Sequence, residues 1–176
     1  KLKEPKKLKD ADSKYRVDLS DIPFVTIDGH DAKDFDDAVY VKKIRQGYEL
    51  KVAIADVSAY MLGQEELFKQ SAEQAFSSYL PGKAFPMLPK KLTEEVCSLN
   101  PGETKAAFVT SMVLDNNLDV IECELERAII KSHKRLTYDT ALEEEALLLS
   151  PARELARKLR KRRQKDGAFF FSHGQF

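Results

Sequence analysis

Five aspartates lie within the ten residues from Asp28 to Asp37, beside an apolar stretch that has the composition of a buried strand. Carboxylates this close together raise one another's pKa, so several stay ionised only when water, hydrogen-bond donors or a cation offsets their repulsion. Hard divalent cations such as Mg²⁺ and Mn²⁺ prefer carboxylate oxygens. Aspartate is also common in solvated turns, because its side chain bonds to nearby backbone amides. The acids alone therefore leave a metal site and a solvated loop both open.

The backbone that carries these aspartates cannot be one regular strand. At ~3.3 Å per residue, an extended chain would place Asp34 roughly 20 Å from Asp28. In a regular strand Asp34 and Asp36 would also share one face, while Asp37 would point to the other. The sequence therefore predicts an irregular loop over 28–36 that leaves one strand and enters the next.

Local patterning predicts a mixed α/β (α+β) fold with a mixed, largely antiparallel sheet and flanking helices. Runs of β-branched and aromatic residues predict strands at Phe24–Asp28, Ala38–Lys42 and Tyr48–Ala55, with a turn at Gln46 and Gly47, and a hairpin of Ala107–Leu114 with Asp119–Ile130. Helices are predicted at Glu65–Ser77, at Leu92–Leu99, from Thr137 onward, and after Ser150 with Pro151 in the first turn. The helix at 65–77 carries its apolar residues on one side: Leu67, Phe68, Ala72, Ala75 and Phe76.

Charge is unevenly distributed in a chain whose formal net charge is zero. Residues 1–15, six of whose first fourteen are lysine, are expected to be a basic lead-in to a domain over 16–176, and 153–165 holds eight bases against one acid. Such runs are either solvated surface or contacts to phosphates. Cys97 and Cys123 lack zinc-site spacing and are expected to be buried thiols without a disulfide partner. No apolar run is long enough to cross a membrane, and we expect a cytoplasmic protein.

Several longer motifs carry a resemblance to a known family. The segment from Asp18 to Val39 resembles the opening of the catalytic domain of the ribonuclease II/ribonuclease R family. Further segments match in the family's order: Val52–Ser58 with Tyr60, Tyr79–Gly82, Pro86–Pro89 running on to Cys97–Pro101, and Ser132, His133 and Arg135–Tyr138. The match covers about residues 16 to 142. Many motifs in one order are far more specific than one short pattern.

The resemblance implies a processive 3′-to-5′ exoribonuclease that hydrolyses single-stranded RNA to nucleoside monophosphates with Mg²⁺, Mn²⁺ being possible. The positions that match the family's catalytic and metal-binding acids are Asp28, Asp34, Asp36 and Asp37, whereas Asp31 matches none. Tyr79 matches a tyrosine that stacks on the terminal base, and Tyr138 matches one near a sugar further along the RNA. Aromatic stacking grips every base alike, which suits an enzyme that digests arbitrary sequences.

Two metal ions can activate a water and stabilise a leaving oxygen together, so such a site needs no serine or cysteine nucleophile. We expect Asp28 and Asp37 to be direct metal ligands, and Asp34 and Asp36 to complete the second site or orient the water. The chain is expected to be the N-terminal part of the catalytic domain, with weak activity or none by itself. A catalytically silent RNA-binding or scaffold module is the alternative function. The oligomeric state has no signal in the sequence.

Overall fold

Six of the eight strands in the described part of the chain form one sheet, and the other two form a small separate hairpin. The structure is a computed structural model that describes residues 14–81, 83–143 and 149–169. The strands are β1 (Val17–Asp18), β2 (Phe24–Asp28), β3 (Asp37–Ile44), β4 (Gly47–Ala55), β5 (Ser78–Leu80), β6 (Lys83–Phe85), β7 (Thr104–Asp115) and β8 (Val120–Thr137). The helices are α1 (Val57–Met61), α2 (Glu65–Gln74), α3 (Tyr138–Glu143) and α4 (Ser150–Lys165), and a π-helical turn spans Lys91–Val96.

The large sheet closes on itself through β8. The order is β1-β8-β2-β3-β4-β7, and β7 also pairs with β8. The first two-thirds of β8, up to Lys131, run antiparallel to β7, and its last residues, from Ser132 to Thr137, run parallel to β2. Strands β2, β3, β4, β7 and β8 therefore form a ring in which each has two neighbours. The predicted fold class, a mixed and largely antiparallel sheet with flanking helices, is confirmed.

Small side chains fill the inside of the ring. Its core includes Ala38, Ala53, Ala107 and Ala128, which are all fully buried, and Phe24 is the largest side chain among them. A ring of few strands leaves little internal space, and alanine suits positions where opposite walls approach closely.

The helices cover two outer faces of the ring. On one face, Leu155 of α4 packs with Val41, Tyr48 and Leu114 from three strands. On another, α1, α2 and the π-helical turn gather around the buried Leu92. The residue Leu149, which precedes α4, packs against Val25 and Leu136 beneath α3. The face under α3 and α4 therefore lies directly behind the end of β2, where Asp28 is located.

Most predicted elements are present, with different ends. The strand Phe24–Asp28 is confirmed at both boundaries, whereas β3, β7 and β8 extend beyond the predicted ranges. The predicted turn at Gln46 and Gly47 is shifted, because Gly47 already pairs with Asp115 in the sheet. Its φ of 146° and the adjacent Leu114 carbonyl oxygen leave no room for a side chain.

Helix α2 is shorter than predicted. The prediction of a helix to Ser77 is wrong, because Ala75 takes a positive φ of 62° and its N–H closes the last turn on the Ser71 carbonyl. Phe68 and Phe76, which belong to the apolar side of the predicted helix, are 65% and 66% exposed. Only the narrow stripe of Leu67 and Ser71 contacts the protein interior, so one side of α2 is covered less widely than its apolar pattern indicates.

Two smaller predictions also differ from the structure. The predicted helix Leu92–Leu99 is a π-helical turn that ends at Val96. Both cysteines are free thiols, but the prediction that both are buried is wrong for Cys123, which lies on the exposed first half of β8. No helix in the described ranges is long and apolar enough to cross a membrane.

Candidate active site

The loop from Gly29 to Asp36 joins β2 to β3, as the sequence predicts, and it is anchored at Phe35. The Phe35 ring is buried in the core of the ring of strands. Its N–H donates to the Ser98 hydroxyl at 2.9 Å, and its carbonyl accepts from Leu99 N–H at 2.9 Å. The next carbonyl, that of Asp36, accepts from Ala55 N–H at 2.8 Å. These bonds fix an irregular backbone that no sheet ladder supports.

Arg135 of β8 holds the other half of the loop. One terminal nitrogen, Nη2, donates to the carbonyls of both Gly29 and His30 at 2.8 Å. The guanidinium carbon lies 5.5 Å from the centre of the Phe35 ring, within the range of a cation–π contact. Its Nε is buried and has no hydrogen-bond partner among the described residues. Arg135 thus ties the loop to β8 and places a positive charge beside the aspartates.

The four predicted acids lie around this anchored loop. Asp28 ends β2 and is half-buried, Asp37 begins β3, and Asp34 and Asp36 flank Phe35. Since Phe35 points into the core, its two neighbours point outward, and both are exposed.

The pKa values of two of these acids show that the cluster is electrostatically coupled. Burial raises the pKa of Asp28, and repulsion from Asp37, Asp36 and Asp34 raises it further, against an opposing effect of Arg135. Burial also raises the pKa of Asp36, with added repulsion from Asp34 and Asp37. Asp34 and Asp37 therefore act on both Asp28 and Asp36, and Asp36 also acts on Asp28.

Asp31 differs from the other four aspartates of the loop. Its side chain is fully exposed, and its only described contact is with the His30 ring at 3.2 Å. It contributes to neither of the raised pKa values. Setting Asp31 apart from the site is consistent with this geometry.

The donor set suits a hard cation. The Oδ2 atom of Asp28 is buried and has no hydrogen-bond partner among the described residues, so this carboxylate has capacity to spare. Across the described ranges, however, no three carboxylate, imidazole or thiolate side chains converge as closely as the ligands of one metal ion. Mg²⁺ commonly uses only one or two carboxylates and completes its shell with water and substrate phosphates. The residues present fit that kind of site, rather than a cage made entirely of protein ligands.

The two predicted RNA-binding tyrosines can be placed only in part. Tyr138 begins α3, directly after β8, and its side chain is 64% exposed. It lines an apolar groove on the face under α3 and α4. The backbone of Tyr79 pairs with Ala84 in the small hairpin, while its side chain lies outside what the structure describes.

A second carboxylate site, which the sequence did not predict, lies at the start of α1. The buried Asp56 accepts from Arg16 Nη2 at 2.6 Å, from the Ser58 hydroxyl at 2.6 Å and from Ala59 N–H at 3.1 Å. Burial alone would raise the pKa of Asp56, but the bonds from Ser58, Arg16 and Ala59 together lower it. The ion pair is almost fully enclosed, with 3% and 1% of the two side chains exposed.

Sequence reasoning missed Ser98, Arg135 and Asp56 as contributors. Each lies inside a segment that matches the family's motifs, and that is the only sequence signal for them. Cys97, beside Ser98, offers no nucleophile, because burial raises its thiol pKa to about 12.

The chain is similar to known nucleases over most of its length. The family model described as the RNB domain matches residues 16–175. Exoribonuclease 2 of Aeromonas hydrophila is 45% identical over 125 residues, which are 70% of this chain and 19% of that protein. Ribonuclease R of Escherichia coli is 44% identical over 124 residues, which are 70% of this chain and 15% of that protein. The chain thus spans less than a fifth of the length of either relative.

Solved structures show the same similarity. A Mycoplasma genitalium RNase R in complex with double-stranded RNA superimposes with a TM-score of 0.84 at 34% identity, covering 94% of this chain and 32% of that one. A yeast pseudonuclease superimposes with a TM-score of 0.77 at 21% identity, covering 92% of this chain and 21% of that one. The second similarity concerns the fold alone.

Proposed function

Because the chain belongs to the RNB domain family, we propose that its protein is a Mg²⁺-dependent 3′-to-5′ exoribonuclease that releases nucleoside 5′-monophosphates from single-stranded RNA. One observation carries the proposal: the buried Oδ2 of Asp28 has no described partner, although three further carboxylates repel the group that bears it. Such an arrangement destabilises the folded state, and a bound cation would offset the repulsion between the carboxylates.

The aspartates divide by position. Asp28 and Asp37 lie at the ends of two neighbouring strands, so regular backbone on one side of each residue fixes them, and they are the proposed direct ligands. Asp34 and Asp36 extend outward on either side of the anchored Phe35, where they can complete a second site or orient a water. A Mg²⁺ held by these carboxylates would lower the pKa of a bound water and would stabilise the leaving oxygen. Arg135 holds the loop that carries these acids and limits their repulsion.

The tyrosines are proposed to hold the RNA. Tyr138 is exposed at the start of α3, three residues after Arg135, and can contact a sugar or base close to the aspartates. Tyr79 is proposed to stack on the terminal base. Stacking is worth roughly 1–3 kcal/mol per base and tolerates any sequence.

The alternative is a catalytically silent RNA-binding or scaffold module. The yeast pseudonuclease shares the fold, so the fold by itself does not decide between the two functions. The acid cluster favours the enzyme. A module kept only to bind a polyanion would gain nothing from four mutually repelling carboxylates at its binding site.

The test is hydrolysis of a 5′-labelled single-stranded RNA by the full-length protein with Mg²⁺ and with EDTA. The variant Asp28→Asn keeps the size of the side chain and removes its charge. We expect its kcat to fall by about 100-fold or more, which corresponds to ~2.7 kcal/mol of transition-state stabilisation. The matched control is Asp31→Asn in the same loop, whose side chain is fully exposed, and its kcat should stay within about twofold of wild type.

Three results would contradict the proposal: equal activity of Asp28→Asn and Asp31→Asn, activity that persists in EDTA, or products longer than mononucleotides. Binding of the RNA without any hydrolysis in Mg²⁺ or Mn²⁺ would support the silent module instead.

A further inference from the structure

Helix α4 presents a strongly basic surface that the aspartate site does not use. Its 16 residues, Ser150–Lys165, include eight bases and one acid in a chain of zero net charge. The apolar side of the helix is already occupied: Leu155 is 3% exposed, and Ala152 and Leu159 pack on the same strands. The basic side therefore faces solvent, while the apolar side faces the strands and lines the groove that also contains Tyr138.

The acids near α4 are already paired. Glu154 accepts from Lys43 and Lys158, at 2.9 Å and 3.1 Å. Arg162 pairs with Asp119 at 2.7 Å and also bonds to the carbonyls of Asn117 and Leu118. Four exposed bases have no hydrogen bond or ion pair within the described residues: Arg157, Lys161, Arg163 and Lys165.

Three of these bases form a row. Arg157, Lys161 and Lys165 follow one another at four-residue intervals, so they share one side of the helix at a spacing of ~6 Å. That side is opposite the buried Leu155 and Leu159. Arg157 and Lys161 line an open surface pocket together with Arg153, Glu154 and Lys158, and the row continues beyond it to Lys165. A row of unpaired cations that extends past one pocket suits an extended polyanion better than a compact anion.

Helix α4 starts near the aspartate cluster and leads away from it, and the row lies in its far half. Glu154, just before the row, already pairs with Lys43 near the far end of β3. Leu149, just before α4, packs around Ile27, the residue before Asp28. At the other end, Arg162 contacts the turn between β7 and β8, and the sheet register places that turn at the opposite end of the ring from Asp37. A 16-residue helix is ~24 Å long. The basic side thus connects the two ends of the ring of strands.

We propose that Arg157, Lys161 and Lys165 form a phosphate-binding surface for the part of the RNA upstream of the 3′ end held at the aspartates. The inference rests on the proposed function for the identity of the polyanion. An anionic membrane is the competing partner. Its surface would attract the same charges, but the apolar side of α4 faces the strands, so the helix cannot lie in a lipid interface with that side inserted.

The experiment measures binding of 3′-labelled oligoadenylate by the full-length protein in EDTA, where hydrolysis is stopped. The variant is Arg157→Glu/Lys161→Glu. The matched control, Lys69→Glu/Lys131→Glu, makes the same charge change at two exposed lysines that have no described hydrogen bond or ion pair. The probes are a 20-mer and a tetramer, and the affinity is measured from about 50 to 200 mM salt.

We expect the affinity of the 20-mer to fall on the order of tenfold in the α4 variant and less than twofold in the control. The preference for the 20-mer over the tetramer should fall with it. The slope of log affinity against log salt should decrease by about 1.4, because each lost phosphate contact on a single strand contributes ~0.7. The milder pair Arg157→Gln/Lys161→Gln should show a smaller change in the same direction, which guards against misfolding of the reversed variant.

Equal losses in the α4 and control variants, or an unchanged salt slope, would overturn the inference. So would loss of binding to phosphatidylserine vesicles with full retention of RNA binding. The assay separates the two proposals: a protein that never hydrolyses RNA refutes the exoribonuclease, while a selective α4 effect in EDTA still supports the surface.

Discussion

Asp56 and the pair Asp28 and Asp36 show two opposite ways of holding a carboxylate near a protein core. Asp56 is buried but accepts three hydrogen bonds and pairs with Arg16, so its pKa is lowered. Asp28 and Asp36 have raised pKa values, and Asp28 keeps a buried oxygen without a described partner. Asp56 is more deeply buried, yet its surroundings favour the ionised carboxylate, whereas those of Asp28 and Asp36 disfavour it.

The difference separates structure from reactivity. The hydrogen-bond donors to Asp56 all come from the protein itself. This carboxylate therefore contributes to the fold and is not open to a substrate. The cluster around Asp28 lacks such donors among the described residues, so its carboxylate oxygens can bind a cation. Degree of burial alone would have ranked the two sites in the wrong order as functional candidates.

The largest expected effect is on stability and comes from replacing Asp56, the carboxylate that the protein's own donors bond. Replacing Asp56 with alanine removes the partner of a buried arginine and the N-cap of α1, so we expect a loss of about 3–5 kcal/mol in the free energy of unfolding. Urea denaturation followed by circular dichroism measures it. Asp21→Ala, at an exposed aspartate, is the control and should change stability by less than about 0.5 kcal/mol. Similar losses in both variants would mean that Asp56 is not a structural acid.

Arg135 stabilises the aspartate loop with hydrogen bonds from a guanidinium group, as Arg16 does for Asp56. Arg135→Ala removes two bonds to loop carbonyls, and we expect a stability loss of about 1.5–3 kcal/mol together with a lower kcat. Arg135→Lys keeps the charge but not the planar contact with Phe35, so it should recover only part of the activity. Full activity of Arg135→Ala would show that the loop holds its shape without this brace.

The pH dependence of stability tests the lowered pKa of Asp56. Its folded pKa lies below the unfolded value of about 3.9, so its contribution is complete above that value and is lost as the pH falls through the folded pKa. We expect wild type to lose stability more steeply than Asp56→Asn between pH 5 and about pH 2. Parallel curves of stability against pH for wild type and Asp56→Asn would contradict this prediction. The effect should be smaller than that of Asp56→Ala, because a protonated carboxyl keeps its shape and part of its bonding.

The smallest expected effect has the opposite sign. In EDTA at neutral pH, Asp36→Asn removes repulsion, so we expect the free energy of unfolding to rise by up to about 1 kcal/mol, since an exposed group is screened by solvent. The raised pKa also predicts that this destabilisation in wild type appears as the pH rises through it. Adding Mg²⁺ should stabilise wild type more than the variant. A variant that is less stable than wild type in EDTA would remove the distinction between the two sites.

Local sequence patterns predict the parts of the site that depend on near neighbours. The strand ending at Asp28 and the irregular loop after it follow from side-chain alternation and from the reach of an extended chain. The contacts of Arg135 could not be predicted in this way, because the carbonyl of Gly29 lies 106 positions away. Ser98 is likewise 63 positions from its partner, Phe35. Only the family's motifs indicated that these segments matter, and they gave no contacts.

The failed predictions have similar causes. Phe68 and Phe76 belong to the apolar side of the predicted helix yet are exposed, because periodicity describes the helix and not the width of the surface that covers it. Cys123 is a similar case, since Ile121, Cys123 and Leu125 alternate with glutamates on the half of β8 that is not enclosed. Closure of the ring depends on β8 changing partners near Lys131, and no local signal marks that residue.

The change of partners along β8 also determines the order in which this chain can fold. Hairpins β3–β4 and β7–β8 join residues close in sequence and can form early, whereas the parallel pairing of β2 with the end of β8 closes a loop of about a hundred residues and must come late. Until that step, the edge of β8 is open to pairing with other chains. We therefore expect refolding to be slow, and we expect incompletely folded chains to associate through the strand that carries Arg135.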